Sequence, residues 1–409
     1  MDKTIKIGST VLEQHPSSLA LHRGVLFLNQ KERRCVRSST IENLKFLSSQ
    51  TYKDKEGIFW PKVEQIDDTF CEVEYFDHII YWTEMTNSQI KDCMVFLCDI
   101  LYYLNSNGWT VETHLWNITL KNGKPILLDV GDFIPLSENG KIVQKSSLTA
   151  MLRREKNDHS PKTMDSWLVG CDSVLSYISS VDFNTSYTDY LPKIKDAFLS
   201  AVTVAQNNYW DDYNKTQYLS EEQILASIEN EKDNPVCNYI KKNKPSTMVD
   251  LGCNSGKHSL YAALQGVRSI GLDKAAKTIN EANSSAASLG LACSFVYLDL
   301  FESDVKLGLR ESPHERFKGD MAIAPALIHH MFPIEKNIKK CIDIICGYAH
   351  KNVAIEFIPH TDSHINKPLH SWFSAEDIIE TITSNGFTIE DIVNSNNERK
   401  WIFANRHNS

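Results

Sequence analysis

Met248-Val-Asp-Leu-Gly-Cys-Asn-Ser-Gly256 reads as a short buried strand, a tight turn and the entry to a helix. The apolar run reaches a carboxylate at Asp250, Gly252 and Gly256 bracket the turn, and an amphipathic run from Lys257 to Leu264 follows. Glycine lets the backbone approach a ligand where a Cβ would collide. The start of the next helix presents unsatisfied N–H groups to the ligand's polar end. A second strand, Val267-Arg-Ser-Ile-Gly-Leu-Asp273, again ends in a carboxylate, at a spacing that suits a bidentate hydrogen bond to ribose hydroxyls. The unit is therefore read as a βαβ element built for a nucleoside-type ligand. It is not the dinucleotide fingerprint, because the glycines are spaced Gly-x-x-x-Gly with Asn254 where a middle glycine would stand. Taken alone, the turn also fits an ordinary βαβ unit with no ligand.

Outward from the turn the alternation continues. A helical stretch spans Ile279 to Leu289, and Ser294-Phe-Val-Tyr-Leu-Asp299 is a third strand with a terminal acid. Asp320 to Ala324 is a short fourth strand, and it runs into Pro325-Ala-Leu-Ile-His329-His330. A helix is expected over Ile334 to His350, a fifth strand over Val353 to Pro359, and a helix from the capping-box-like Ser374-Ala-Glu-Asp377. Phe387 to Val393 and Lys400 to Asn405 close a hairpin. With Asp250 two residues before the first glycine, this span resembles the class I S-adenosylmethionine-dependent methyltransferases: a doubly wound Rossmann-like α/β sheet with a terminal antiparallel hairpin. The resemblance covers residues 236–409. It implies S-adenosylmethionine as cofactor, bound by Asp250, Gly252, Cys253, Asn254, Gly256, Asp273, Asp299 and Ala324, with Asp299 placed for the adenine amino group.

The 409 residues suggest two to three domains, and 42% hydrophobic with 23% charged residues is ordinary globular composition. No apolar run has the length of a membrane helix, and the N-terminus lacks a signal peptide's apolar core. Ten cysteines are scattered with no Cys-x-x-Cys, so no metal site is expected and a reducing cytoplasm fits. A net charge of −9 with only short basic clusters argues against a nucleic-acid backbone as main partner. Oligomerisation is left open.

Ahead of the methyltransferase-like span, strands are expected at Leu26–Leu28, Cys35–Arg37, Phe70–Glu74 and His78–Trp82, then a helix over Asn87 to Ser106. Trp109 to Leu120, a turn at Lys121-Asn-Gly-Lys and the strand Pro125 to Asp129 follow. This resembles the catalytic and metal-binding loops of protein-kinase-like folds, with Asn117 matching their Asn and Asp129-Val-Gly131 their Asp-Phe-Gly. Glu112 stands where the catalytic Asp belongs, and no glycine-rich phosphate loop precedes it. The expectation for residues 1–146 is an α+β, degenerate kinase-like lobe without phosphoryl transfer; the alternative is two strands joined by a hairpin. Residues 147–235 read as a helical connector. A lobe of this kind ahead of a methyltransferase resembles a family of bacterial two-part methyltransferases found in nodulation, surface-glycan and secondary-metabolite pathways. In that family a Trp-x-x-Tyr element packs over the cofactor cleft, matched here by Trp210 and Tyr213; an interdomain contact is the alternative.

Methyl transfer from a sulfonium is an in-line displacement, needing near-attack placement and, for a hydroxyl acceptor, a base. His329 and His330 follow the fourth strand, at the sheet edge where ligands of open α/β sheets bind. His330 is the first candidate base and His329 the second; Glu356, ending the fifth strand, orients a histidine or binds substrate. His360, with Asp362 and His364, is read as a substrate-facing loop, with a metal site as the alternative. The function expected is methylation of a small-molecule or glycan acceptor at oxygen or nitrogen. Transfer of an aminocarboxypropyl or carboxymethyl group, or a silent binding module, stays open beside it.

Overall fold

The computed structural model describes residues 4–7, 10–14, 26–29, 33–37, 60–61, 63–65, 70–74, 78–113, 115–128, 133–150, 168–169, 171–206, 221–230, 232–304, 311–362, 365, 373–395 and 398–406. The chain divides into two compact units, Met1–Ala205 with Lys306–Glu311, and Gln206–Val305 with Ser312–Ser409. The helices expected between 147 and 235 are shared out between the units.

In the first unit, Thr4–Ile7, Thr10–Gln14, Leu26–Asn29, Arg33–Arg37, Phe70–Glu74 and Val63–Gln65 lie side by side in that order as an antiparallel sheet. The expected strand at His78–Trp82 is replaced by extended chain and a 3-10 turn at Trp82–Glu84. Its backbone is satisfied without a ladder, since Ile80 bonds through both N–H and C=O to the Thr119 hydroxyl and the Tyr81 N–H donates to Glu84. Helix Asn87–Ser106 starts on a Thr86–Gln89 capping box and buries Ile90, Met94, Leu97, Leu101 and Leu104 along one stripe. Helix Tyr187–Ser200 packs along it, joined by Lys195 to Asp99 at 2.6 Å. The expected hairpin pairs Ile118–Lys121 with Lys124–Leu127, and Asn122 and Gly123 take the positive φ values of 51° and 73° that a two-residue hairpin turn requires. Asn117 closes a 3-10 turn whose carbonyl accepts from the Leu128 N–H. Asp129 to Asp132 lie outside the described residues.

The second unit carries strands β1 (Thr247–Leu251), β2 (Arg268–Asp273), β3 (Cys293–Tyr297), β4 (Gly319–Ala324), β5 (Ala349–Phe357), β6 (Thr388–Asn394) and β7 (Lys400–Asn405). They form one sheet in the order β3-β2-β1-β4-β5-β7-β6, parallel except for β7, which is antiparallel to both β5 and β6. This is the expected Rossmann-like sheet with its terminal hairpin. Buried residues run continuously through β1, β2 and β4, as a sheet covered on both faces demands. One face holds helices Lys257–Leu264 and Ala276–Ser288, which pack Leu260, Ile279, Ala282 and Ala286 around Phe295 of β3. The single helix expected over Ile334–His350 is two, Ile328–Glu335 and Ile338–Gly347. Lys336 turns left-handed at φ 56°, and the Asn337 side chain caps the second helix by accepting from the Lys340 N–H.

Candidate active site

The C-terminal ends of β1, β2 and β4 open on a cleft of about 300 Å³, lined among others by Asp250, Asn254, Asp273, Asp299, Leu327 and His330. Order reversal between β1 and β4 makes this the switch point of the sheet, where open α/β folds bind ligands. The floor is the glycine turn. Gly252 sits at φ 68°, and a Cβ there would come 2.7 Å from Leu327 Cδ1. Gly256 sits at φ 76°, with the Phe295 ring 2.3 Å from where its Cβ would be. Asn254 between them also has positive φ, at 49°, the conformation asparagine tolerates best after glycine. Cys253 tucks beneath the turn toward Gly271, and burial raises its thiol pKa well above the ordinary value.

The strand-end acids are held in different ways. Asp250 is fully buried; its Oδ2 accepts from Ser259 Oγ at 2.9 Å, while its Oδ1 has no hydrogen-bond partner among the described residues. Burial pushes its pKa up to about 7, with the Asp273 charge adding to the rise. Asp273 accepts from the backbone N–H groups of Asn254 and Ala275, each at 2.9 Å, one on each oxygen. A carboxylate has about four lone-pair positions, so both oxygens keep acceptor capacity. Burial raises its pKa against the pull of those N–H groups. Asp299 caps the following turn through the Phe301 N–H at 3.1 Å and faces Lys274 Nζ at 3.6 Å. Lys257, His258, Lys274, Phe301 and Met331 also line the cleft, and sequence reading had not singled them out. Only Lys274 carries a signal, standing directly after Asp273.

Of the candidate catalytic residues, His330 lines the cleft. His329 lies against it, ring centroids 3.7 Å apart, but is not among the lining residues. Burial and then Lys274 bring the His330 pKa down to about 4; burial, His330 and Arg399 bring His329 down to about 3. Both imidazoles are therefore neutral near pH 7. Glu356 turns its carboxylate to the Ala326 N–H at 2.9 Å and to Arg399 at 3.7 Å, away from the cleft lining. Ala324 is fully buried at the end of β4, and the next residues, Pro325 and Ala326, reach the cleft instead. His360 is exposed, Asp362 is committed to Arg399 at 2.7 Å, and His364 lies outside the described residues, as do Trp210 and Tyr213. Among the described residues no group of three His, Cys, Asp or Glu is placed to hold a metal ion.

The family model "Tellurite resistance protein TehB" matches residues 208–304. Nodulation protein NoeA of Rhizobium meliloti (strain 1021) is 26% identical over 210 residues, 47% of this chain and 42% of that protein. The chain thus spans less than half the length of that relative. Among solved structures, magnesium protoporphyrin IX methyltransferase from Synechocystis PCC 6803 with bound SAM is 19% identical, covering 48% of this chain and 89% of the other, with a TM-score of 0.35. The TehB-like SAM-dependent methyltransferase from Corynebacterium glutamicum ATCC 13032 Kitasato is 15% identical, covering 46% and 97%, with a TM-score of 0.32. By its strand order, its antiparallel β7 and its glycine turn at the switch point, the second unit has the Rossmann-like fold of S-adenosylmethionine-dependent methyltransferases.

Proposed function

We propose that the chain is an S-adenosylmethionine-dependent methyltransferase whose cofactor lies in the β1–β2–β4 cleft and whose acceptor is a small molecule or glycan, methylated at oxygen or nitrogen. The observation that carries this reading is Asp250: a fully buried carboxylate oxygen with no hydrogen-bond partner among the described residues, at the wall of a cleft floored by two left-handed glycines. An orphan acceptor of this kind costs about 1–3 kcal/mol, which a ligand cation removes. Asp273 keeps acceptor capacity for a ribose diol, and Asp299, pre-set by the Phe301 N–H and Lys274, for an adenine amino group. Once bound, S-adenosylmethionine supplies a methyl group already activated by sulfonium charge.

The remaining chemistry belongs to the chain. His330, at the cleft wall, is assigned as the base that takes the acceptor's proton; burial and Lys274 lower its pKa to about 4, which keeps it unprotonated at neutral pH while making it a weaker base than a free imidazole. His329, packed on the same ring, fixes its orientation. Trp210, Tyr213 and His360 are assigned to the acceptor side. The first unit is read as a kinase-like lobe without phosphoryl transfer, supported by its helix, 3-10 turn and hairpin in series, and the seven cysteines whose side chains are described, all free, suit a cytoplasmic protein. No helix among the described residues is long and apolar enough to cross a membrane.

Calorimetry with S-adenosylmethionine and its demethylated thioether tests the cofactor reading: binding heat is expected with both, and its absence in both overturns the proposal. Asp273→Ala should weaken binding by about 1–3 kcal/mol through lost hydrogen bonds; unchanged affinity removes Asp273 from the ribose site. Mass spectrometry of extract incubated with isotope-labelled cofactor identifies the acceptor. With it, His330→Ala should lower turnover by about 10²–10⁴-fold while cofactor affinity stays within a few fold.

A further inference from the structure

Behind the cleft, Arg399 meets two acids of the β5 end and the loop after it, Glu356 and Asp362, which lie 43 and 37 residues earlier in the chain. Arg399, just before β7, donates from Nε and Nη2 to the two oxygens of Asp362, at 2.7 and 3.1 Å. Its Nη1 lies 3.7 Å from Glu356 Oε1 at the end of β5. The Asp362 side chain is 0% exposed and that of Glu356 11%. Neither acid is in the cleft lining. The other Glu356 oxygen, Oε2, accepts from the Ala326 N–H at 2.9 Å.

Ala326 is an alanine at φ 44°. A left-handed non-glycine residue costs about 1–2 kcal/mol and persists only where its surroundings hold it. This residue sets two things at once. Leu327 follows it and packs on Gly252 so closely that a Cβ there would be 2.7 Å away. The Leu327 carbonyl then accepts from the N–H groups of His330 and Met331 at 2.9 and 3.2 Å, starting the helix that carries His330 to the cleft. One dihedral therefore couples the cofactor floor to the candidate base.

We propose that Glu356, Arg399 and Asp362 are positioning residues, a clamp that holds the Pro325–His330 turn in its strained left-handed form and so shapes both the glycine floor and the placement of His330. The clamp deepens the methyltransferase reading and rests on it for its purpose, though its mechanics do not. Asp362 neutralises Arg399 and fixes its plane; Arg399 favours the charged form of Glu356 against the burial that raises its pKa; and the Glu356 carboxyl so placed accepts from the Ala326 N–H at 2.9 Å. Removing Arg399 leaves one buried and one partly buried acid without their cation, the costly way to break such a cluster.

The test has two readouts. In ligand-free protein, hydrogen exchange of the 325–331 segment in Glu356→Ala and Arg399→Met should speed up about tenfold, the equivalent of about 1.4 kcal/mol, with β1 as internal reference. Arg399→Lys, which keeps the charge but cannot bridge both acids, should fall between these variants and wild type. In calorimetry with S-adenosylhomocysteine, Glu356→Ala should bind about tenfold more weakly, and adding Ala326→Gly should restore most of the loss, because glycine takes positive φ without help. Exchange unchanged in segment 325–331, exchange raised equally in β1, or no rescue by Ala326→Gly overturns the clamp. If wild type gives no heat with S-adenosylhomocysteine, the cofactor reading fails, and the exchange arm still decides the clamp.

Discussion

Asp250 shows how one buried group ties sequence to chemistry. It is the last residue but one of β1, where the strand's packing buries it completely, and among the described residues only Ser259 bonds to one of its oxygens. Desolvation raises its pKa to about 7, so the empty cleft holds it largely protonated at pH 6. A ligand ammonium group, which S-adenosylmethionine and S-adenosylhomocysteine share, favours the ionised form when it meets Asp250, so binding then releases a proton. Calorimetry of S-adenosylhomocysteine binding at pH 6.2 in buffers of different ionisation enthalpy should therefore give buffer-dependent heat, amounting to a sizeable fraction of one proton per site. Asp250→Asn should abolish that dependence and weaken binding. Buffer-independent heat in the wild type would mean that Asp250 does not meet the ligand's charge.

At the scale of elements, the glycine turn was legible because its constraint is local: two glycines between a strand and a helix announce positive φ on sequence alone. Their reasons for being glycine differ from that of Gly266. All three are left-handed, but Gly266 has nothing within 4 Å of a Cβ, whereas Gly256 faces the Phe295 ring at 2.3 Å. Gly266→Ala should then cost only the conformational term, about 1–2 kcal/mol, and Gly256→Ala that plus about 1–3 kcal/mol of overpacking. Urea unfolding measures both, and equal losses would show that Phe295 moves freely aside. The break between Ile328–Glu335 and Ile338–Gly347 was written as Asn337 ahead of an apolar run, a cap signal outweighed by the continuous periodicity around it. The Glu356–Arg399–Asp362 cluster had no such signal. Its partners lie 37 and 43 residues apart, and each is of a type that usually faces water, so only the sheet that brings β5 beside β7 reveals them. The left-handed Ala326 is equally silent, since the force that holds it comes from another strand.

For the whole molecule, these buried groups pull stability in opposite directions with pH. His329 and His330 have folded pKa values near 3 and 4, below their ordinary 6.5. Between the folded and ordinary values the unfolded chain binds more protons than the folded one, so their contribution is complete above about pH 6.5 and is lost as pH falls through about 4 for His330 and about 3 for His329. Asp250, with Asp273 and Glu356 shifted the same way, has its pKa raised, so the folded chain binds the extra proton. Its contribution is complete below the ordinary carboxylate range and is lost as pH rises toward 7. Each proton of difference is worth about 1.4 kcal/mol per pH unit, so between pH 4.5 and 6.5 the two sets largely offset one another and the melting temperature should vary little. Replacing both histidines with glutamine removes one side of the balance. The double variant's melting temperature should then fall, relative to wild type, as pH is raised across that interval, and Asp250→Asn should tilt the curve the opposite way. Parallel curves for all three proteins would show that these groups titrate alike in the folded and unfolded chains, and the burial that defines the cleft would lose its electrostatic consequence.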